Sequence, residues 1–405
     1  MSYFLIFFLS ISLFGFLLGG ILLWQIVRMI HWIPVYNFVQ KNRRIIWFAY
    51  FGVFSSVPFL SMLTYIWSGS VYHPLLSLLY TLSVWGLLVG GYLFMASIVS
   101  WIIGIGFIMI QHRKNISSIT LRKILLPFLP SFTFIQKTLI VLPVFIAIIT
   151  VVYGTMYAGI IQTTHYTISA NSGLHALPDS WIGKNIIIYS DTHIGTIRKK
   201  KFLNRVVEHI NAQNPYITIM AGDLIDGPKF PHSFLEPFQN LTSVAGNYYT
   251  PGNHEEYSHD ASVLHTLDTY LTRISDNVHI VDGVAFVGME YNREPTQVLS
   301  DRIDRIVKKH PEIISMPKIG ILHDPKNINA LLSLRPNLTI SGHTHGGQIW
   351  PGNLLVKKIY GVFAYGPSHH NNNQTLHITT SGIGTAQSPV RIGTRAEIVV
   401  ITVTK

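Results

Sequence analysis

Five stretches of this sequence place metal-ligating or proton-transferring side chains directly after what reads as a buried strand. Asp191-x-His193 follows the β-branched run Ile186–Ile188. Gly222-Asp223-Leu-Ile-Asp226, Gly252-Asn253-His254-Glu255, His323-Asp324 and Gly342-His343-Thr344-His345 close four later runs. Short apolar runs of this kind read as strands, and the carboxyl ends of strands are where α/β folds hold ligands. Carboxylates, imidazoles and one amide, with no cysteine in the chain, form the donor set of a divalent ion. Two such ions about 3.5–4 Å apart need a bridging carboxylate. Asp223 suits that role, because Gly222 lets the backbone come close. Asp191 and His193 can converge on one ion, and His343 and His345, at the same spacing, can supply one imidazole to each. Asn253 offers a neutral oxygen that limits negative charge, so a phosphate anion can still enter. His254 is placed to be a general acid or transition-state donor rather than a ligand.

The elements that must position these groups alternate between strands and helices from about Tyr166 onward. Phe202, Leu203, Val206, Val207 and Ile210 recur at helical spacing within Lys201–Asn214, and Tyr216–Ala221 is the next strand. Strand, helix and strand in that order predict a parallel βαβ unit. Further helices are expected at Ala261–Ile274 and Thr296–Lys309. Strands are expected at Val278–Val281, Val284–Met289, Lys318–Leu322 and Leu338–Ser341. Late β runs near Gln348–Trp350, Tyr360–Tyr365, Leu376–Thr380 and Glu397–Val403 predict a second sheet, with Ser368–Gln374 an exposed loop. Asp324 reads as a turn carboxylate.

The first part of the chain has a different character. Residues 3–27, 45–67, 75–110 and 138–161 are apolar runs without Asp, Glu, Lys or Arg, each long enough to span a bilayer, which takes about 20 residues. The third is either one long helix or two hinged near Gly90-Gly91. Residues 1–165 hold nine Lys/Arg and no acidic residue, which leaves 21 basic against 19 acidic residues for 166–405. The net charge of +11 therefore belongs to membrane-flanking loops, and a nucleic-acid partner loses its main support. Basic loops at 28–44 and 112–137 predict four spans, with everything after residue 161 on the extracytoplasmic side. The runs contain no ionisable side chain that would mark a transport path. An anchor or lipid-facing platform is the reading they favour.

The ordered motifs Asp-x-His, Gly-Asp-x-x-Asp, Gly-Asn-His-Glu, His and Gly-His-x-His-Gly-Gly-Gln resemble those of the calcineurin-like metallophosphoesterases. The late segment Ser381-Gly-Ile-Gly-Thr…Pro389-Val-Arg…Glu397-Ile is similar to the membrane-associated, YkuE-like branch. The apolar spans ahead of it resemble the transmembrane proteins with a metallophosphoesterase domain. The resemblance implies a transmembrane region over residues 1–164, followed at 165–405 by a four-layer αββα sandwich. It implies two divalent ions (Mn, Zn or Fe), the first held by Asp191, His193, Asp223 and His345, the second by Asp223, Asn253, His323 and His343. His254 would be the acid, and Asp226 would orient a ligand histidine or the turn from behind. The implied reaction is hydrolysis of a phosphodiester or phosphomonoester by metal-activated hydroxide. Gly288-Met-Glu-Tyr-Asn-Arg293 departs from the Gly-x-Asp-Asp that relatives tend to show, a difference that bears on substrate contacts.

Three functions fit the sequence. The first is a membrane-anchored phosphoesterase acting on a lipid-linked or membrane-proximal ester, with membrane lipids as its surroundings. The second is a diphosphate hydrolase of a nucleotide-linked lipid of the UDP-diacylglucosamine type. The third is a membrane receptor whose metal domain only binds.

Overall fold

In the computed structural model, the chain is described at residues 41, 74–113, 132–195, 197–226, 231–258, 261–291, 296–372 and 374–405. It divides into two compact units between Tyr153 and Gly154.

In the first unit, α1 (Pro74–Arg113) is one unbroken helix of 40 residues, so Gly90-Gly91 does not split it. At about 1.5 Å per residue it is longer than a bilayer core is thick. Tyr80–Ser100 is the one described helical stretch long and apolar enough to cross a membrane. α2 (Phe132–Tyr157) is also apolar and carries Pro143 within it. It stops at Tyr157, short of the expected residue 161, because Ile161 already belongs to a strand. The expected spans at 3–27 and 45–67 lie outside the described residues.

The second unit runs β1 (Ile161–Ser169), β2 (Asn185–Tyr189), β3 (Ile194–Gly195), α3 (Lys200–Asn211), β4 (Ile217–Met220), β5 (Ile225–Asp226) and β6 (Asn247–Tyr249). Next come α4 (Asn253–Ser258), α5 (Ala261–Asp268), β7 (Thr272–Arg273), β8 (Asn277–Val281), β9 (Val284–Met289) and α6 (Thr296–Lys309). It closes with β10 (Lys318–Leu322), α7 (Asn329–Leu332), β11 (Leu338–Ser341), α8 (Gly352–Tyr360), β12 (Gly366–His370), β13 (Thr375–Thr379) and β14 (Ala396–Thr404). Sheet 1 has the order β1-β14-β2-β4-β6-β7, and sheet 2 the order β12-β13-β11-β10-β9-β8. β2, β4 and β6 pair in parallel, as do β9, β10, β11 and β13. Parallel neighbours end on the same edge, so the loops after them converge.

The side-chain alternation of a strand explains the layers. On β2, Ile186 and Ile188 enter a core shared with Phe286, Ile321 and Ile340 of sheet 2. Ile187 and Tyr189 face the other way, against Phe202, Leu203 and Val206 of α3. On the far side, Val287 of sheet 2 packs on Leu299, Ile303 and Ile306 of α6. Strands buried on both faces read as continuous apolar runs, which is why Ile186–Ile188 has no polar residue. The result is a sandwich of helix, sheet, sheet and helix.

Several expected elements differ. The late runs do not make a sheet of their own: β14 returns to sheet 1, antiparallel to β2, while β12 and β13 extend sheet 2. Gln348–Trp350 contributes a single bridge, Ile349 to Ile392. Tyr360–Tyr365 is a helix end and a 3-10 turn rather than a strand. Ser368–His370 pairs with β13 rather than forming a loop. The helix expected to reach Ile274 ends at Asp268, and Thr272–Arg273 adds an edge strand instead.

Candidate metal centre

Three strand-end loops of sheet 1 are hydrogen-bonded side by side. The Asp191 amide donates to Gly222 O at 2.9 Å, and the Ile194 amide to Leu224 O at 2.8 Å, so the loops after β2 and β4 run together into the β3–β5 pair. Gly252 presses on this pair so closely that a Cβ there would lie 2.3 Å from Asp223 Oδ1. From sheet 2, the His343 amide donates to Asp191 Oδ1 at 3.1 Å, which locks the two strand-end systems together.

Three groups of side chains come close enough to hold an ion, Asp191 with His193 and His345, Asp223 with His323 and His343, and, sharing His193 with the first, His193 with Asp226 and His254. The first two are the ones that match the expected ligands. In the first, His193 Nε2 lies 3.0 Å from His345 Nε2, and Asp191 Oδ1 lies 3.4 Å from His345 Nε2. In the second, Asp223 Oδ2 lies 3.1 Å from His323 Nε2. The same Oδ2 is 4.0 Å from His193 Nε2, so Asp223 stands between the groups. Asn253 Oδ1 is buried and has no hydrogen-bond partner among the described residues. Six of the seven side chains expected to ligate metal thus gather in these two groups, and Asn253 follows β6, next to His254, whose amide donates to Asp223 Oδ1 at 2.9 Å.

The chemistry of this donor set fits two cations. Burial holds the imidazole of His193 down to about 4 and that of His345 well below its usual range. Two neutral rings with nitrogens 3.0 Å apart can share at most one hydrogen bond; a cation gives both lone pairs a partner. The Asp191 carboxyl is pushed up to about 6 by burial, and the charge of Asp223 adds to this. A dication reverses that cost and keeps the carboxylate ionised.

The backbone is bent to achieve this convergence. Asp191, His193, Asp223, His343 and His345 all have positive φ, between 47° and 69°. The left-handed region costs an ordinary residue roughly 1–2 kcal/mol. Strain of this kind persists only where the surroundings over-determine it, and it clusters at functional sites.

His254 sits beside the two groups, on the first turn of α4. Its Nδ1 is 3.2 Å from Asp226 Oδ1, and its Nε2 is 4.0 Å from Asp223 Oδ2. Burial alone would lower its pKa, but the Asp223 charge and the Asp226 hydrogen bond outweigh burial and lift it to about 9. Asp226 thus bonds His254 and also lies in one group with the expected ligand His193. Asp324 accepts from the Lys326 amide at 2.9 Å and caps a 3-10 turn, as its sequence position suggested.

Two positioning residues were not legible in advance. Glu255 is buried and accepts from the amides of Gly252, Asp223, Leu224 and Ile225, at 2.7 to 3.0 Å. It fixes the turn that carries Asp223; the signal was an acid beside a glycine-rich turn whose amides had no evident acceptor. Arg391 is fully buried, donates to Ser381 O, Gly382 O and Gly384 O, and lies 3.4 Å from His345 Nδ1. The departure at Gly288–Arg293 brings the Tyr291 ring within 6.4 Å of His323 and 6.2 Å of His343.

The sequence model of the calcineurin-like phosphoesterase family matches residues 184–347. The chain is 36% identical over 218 residues to an uncharacterized metallophosphoesterase of Helicobacter pylori, covering 53% of this chain and 58% of that one. It is 26% identical over 247 residues to a protein of Bos taurus named transmembrane protein with metallophosphoesterase domain, covering 56% and 54%. The uncharacterized metallophosphoesterase YkuE of Bacillus subtilis is 26% identical over 268 residues, covering 60% and 85%. The chain spans somewhat over half the length of the first of these relatives, 58%. With its motifs, its two-sheet sandwich and this match in agreement, the chain carries a calcineurin-like metallophosphoesterase domain.

Proposed function

We propose that this chain is a membrane-anchored, dinuclear-metal phosphoesterase that hydrolyses a lipid-linked or membrane-proximal phosphoric ester. The observation that carries the reading is the position of Asp223, whose Oδ2 is 3.1 Å from a nitrogen of one ligand group and 4.0 Å from a nitrogen of the other. A carboxylate so placed suits a bridge. Asp191, His193, Asp223 and His345 would hold one ion, and Asp223, Asn253, His323 and His343 the other. The pair would supply Lewis acidity and a water acidified toward neutral pH.

The protein's own groups do the rest. Glu255 holds the Asp223 turn through its four amide bonds, and Asp226 holds the Nδ1 proton of His254. That leaves the His254 Nε2 proton facing the site. As water oxygen bonds to phosphorus and the P–O bond to the leaving group breaks, His254 gives this proton to the departing oxygen. Residues 1–164 serve as a multi-pass anchor, supported by the apolar stretch Tyr80–Ser100 and by the name of the bovine relative. The loop charges favour an extracytoplasmic site, which also disfavours nucleotide-linked lipids as substrates.

The test is metal-dependent hydrolysis by the full chain in detergent, against aryl phosphodiester, phosphomonoester and diphosphate substrates. Turnover that requires Mn, Zn or Fe and disappears in Asp223→Asn supports the reading. Equal rates in the two proteins would leave a domain that only binds.

A further inference from the structure

The segment after the last ligand loop has a surface unlike that of a water-facing connection. Trp350, Leu354, Leu355, Ile359 and Val362 are 45%, 60%, 60%, 59% and 64% exposed, and α8 buries none of its residues. Large adjacent apolar side chains in water mark an interaction surface. The segment is also held firmly in place. The Trp350 amide donates to Ile392 O at 2.8 Å, and Thr344 Oγ1, inside the ligand motif, donates to Ala364 O at 2.7 Å. The Tyr360 ring is 6.3 Å from that of His343, so the apolar face adjoins the metal centre.

Charge selects the occupant. Lys357 and Lys358 are exposed on α8, and no Asp or Glu occurs between Asp324 and Glu397. Leucine, isoleucine and tryptophan beside lysines whose stems can lie along apolar surface are the composition of an interfacial helix on anionic lipid. A second copy meeting the same face would oppose its own lysines. We propose that Trp350–Tyr365 is a docking surface for an anionic phospholipid bilayer, which seats the metal centre at the headgroups. This placement stands apart from the catalytic reading and would hold for a domain that only binds.

The chain has no cysteine, so a single introduced thiol labels one site. The full chain carrying Leu355→Cys with an environment-sensitive fluorophore would be placed in nanodiscs of phosphatidylcholine, with or without phosphatidylglycerol, each containing a spin-labelled quencher lipid. Glu312→Cys, on an exposed turn, is the control. The expected result is roughly twofold or greater quenching at position 355 in the anionic discs over the neutral ones, and little at 312. Lys357→Glu with Lys358→Glu should remove that difference. Quenching that is absent, that is equal in neutral discs, or that survives the charge reversal overturns the proposal. So does a signal that depends on dilution with unlabelled chain, which would report contact between copies. Asp223→Asn should quench like the parent, so a failed hydrolysis assay leaves this outcome readable.

Discussion

Of the candidate metal-site residues, sheet 1 carries Asp191, His193, Asp223, Asn253 and His254 at its strand ends, whereas sheet 2 carries the imidazoles His323, His343 and His345. One sheet therefore carries all the candidate ligand carboxylates and the candidate proton donor, and the other carries imidazoles. Neither holds a complete set. Each of the two groups takes its carboxylate from sheet 1 and at least one imidazole from sheet 2. The difference teaches that the site is a property of the docked sandwich. Ions bound there would clasp the sheets as well as serve chemistry.

The comparison is sharpened most by Asp223→Asn, which weakens the one carboxylate between both groups. Hydrolysis should fall by about a thousandfold or more, with metal content by mass spectrometry dropping in parallel. His254→Ala separates chemistry from binding on sheet 1. We expect kcat to fall by roughly 10²–10⁴ while metal content and KM hold, and a loss of metal instead would make His254 a ligand. Asp226→Asn should cost less, roughly tenfold in kcat. Its pH profile carries the sign: without the neighbouring carboxylate the imidazolium loses its proton sooner, so the alkaline limb moves toward lower pH.

Metal removal tests the clasp itself. Each ion present at a thousandfold excess over its Kd contributes about 4 kcal/mol to folding. Chelation should therefore lower the Tm of the domain by about 10 °C or more. An unchanged Tm would break the comparison.

The smallest effect concerns an imidazole of sheet 2 that never reaches the site. His377 is buried between Thr339 and Thr379, each 2.8 Å away, and burial holds its pKa to about 3 rather than 6.5. Between those values the unfolded chain binds a proton that the folded chain refuses, so stability falls as pH falls through that window. The slope is at most about 1.4 kcal/mol per pH unit. His377→Gln should flatten the acid side of a urea-midpoint-against-pH curve by that amount.

The sequence made the ligand loops readable because glycine, carboxylate and imidazole at strand ends have few other uses in combination. Val284–Met289, Lys318–Leu322 and Leu338–Ser341 were legible to the residue because short runs rich in Val, Ile and Leu, bounded by turn residues, read as strands. The segment from Gln348 to His370 was not legible. Leu354, Leu355, Ile359 and Val362 look like strand or core residues by composition, and only the fold reveals that they face outward. Asp226 was legible as a supporting group, but its partner was not, since the turn of α4 that brings His254 to it is a tertiary event. Arg391 acts through backbone carbonyls, which no side-chain pattern announces.

The left-handed backbone at five ligand positions has a consequence for how this domain can drift over generations. A lineage that no longer needs the reaction gains folding stability by placing glycine or asparagine at Asp191, His193, Asp223, His343 or His345, because those residues relieve the cost of positive φ. If these residues hold metal, they are positions where selection for stability and selection for chemistry pull in opposite directions.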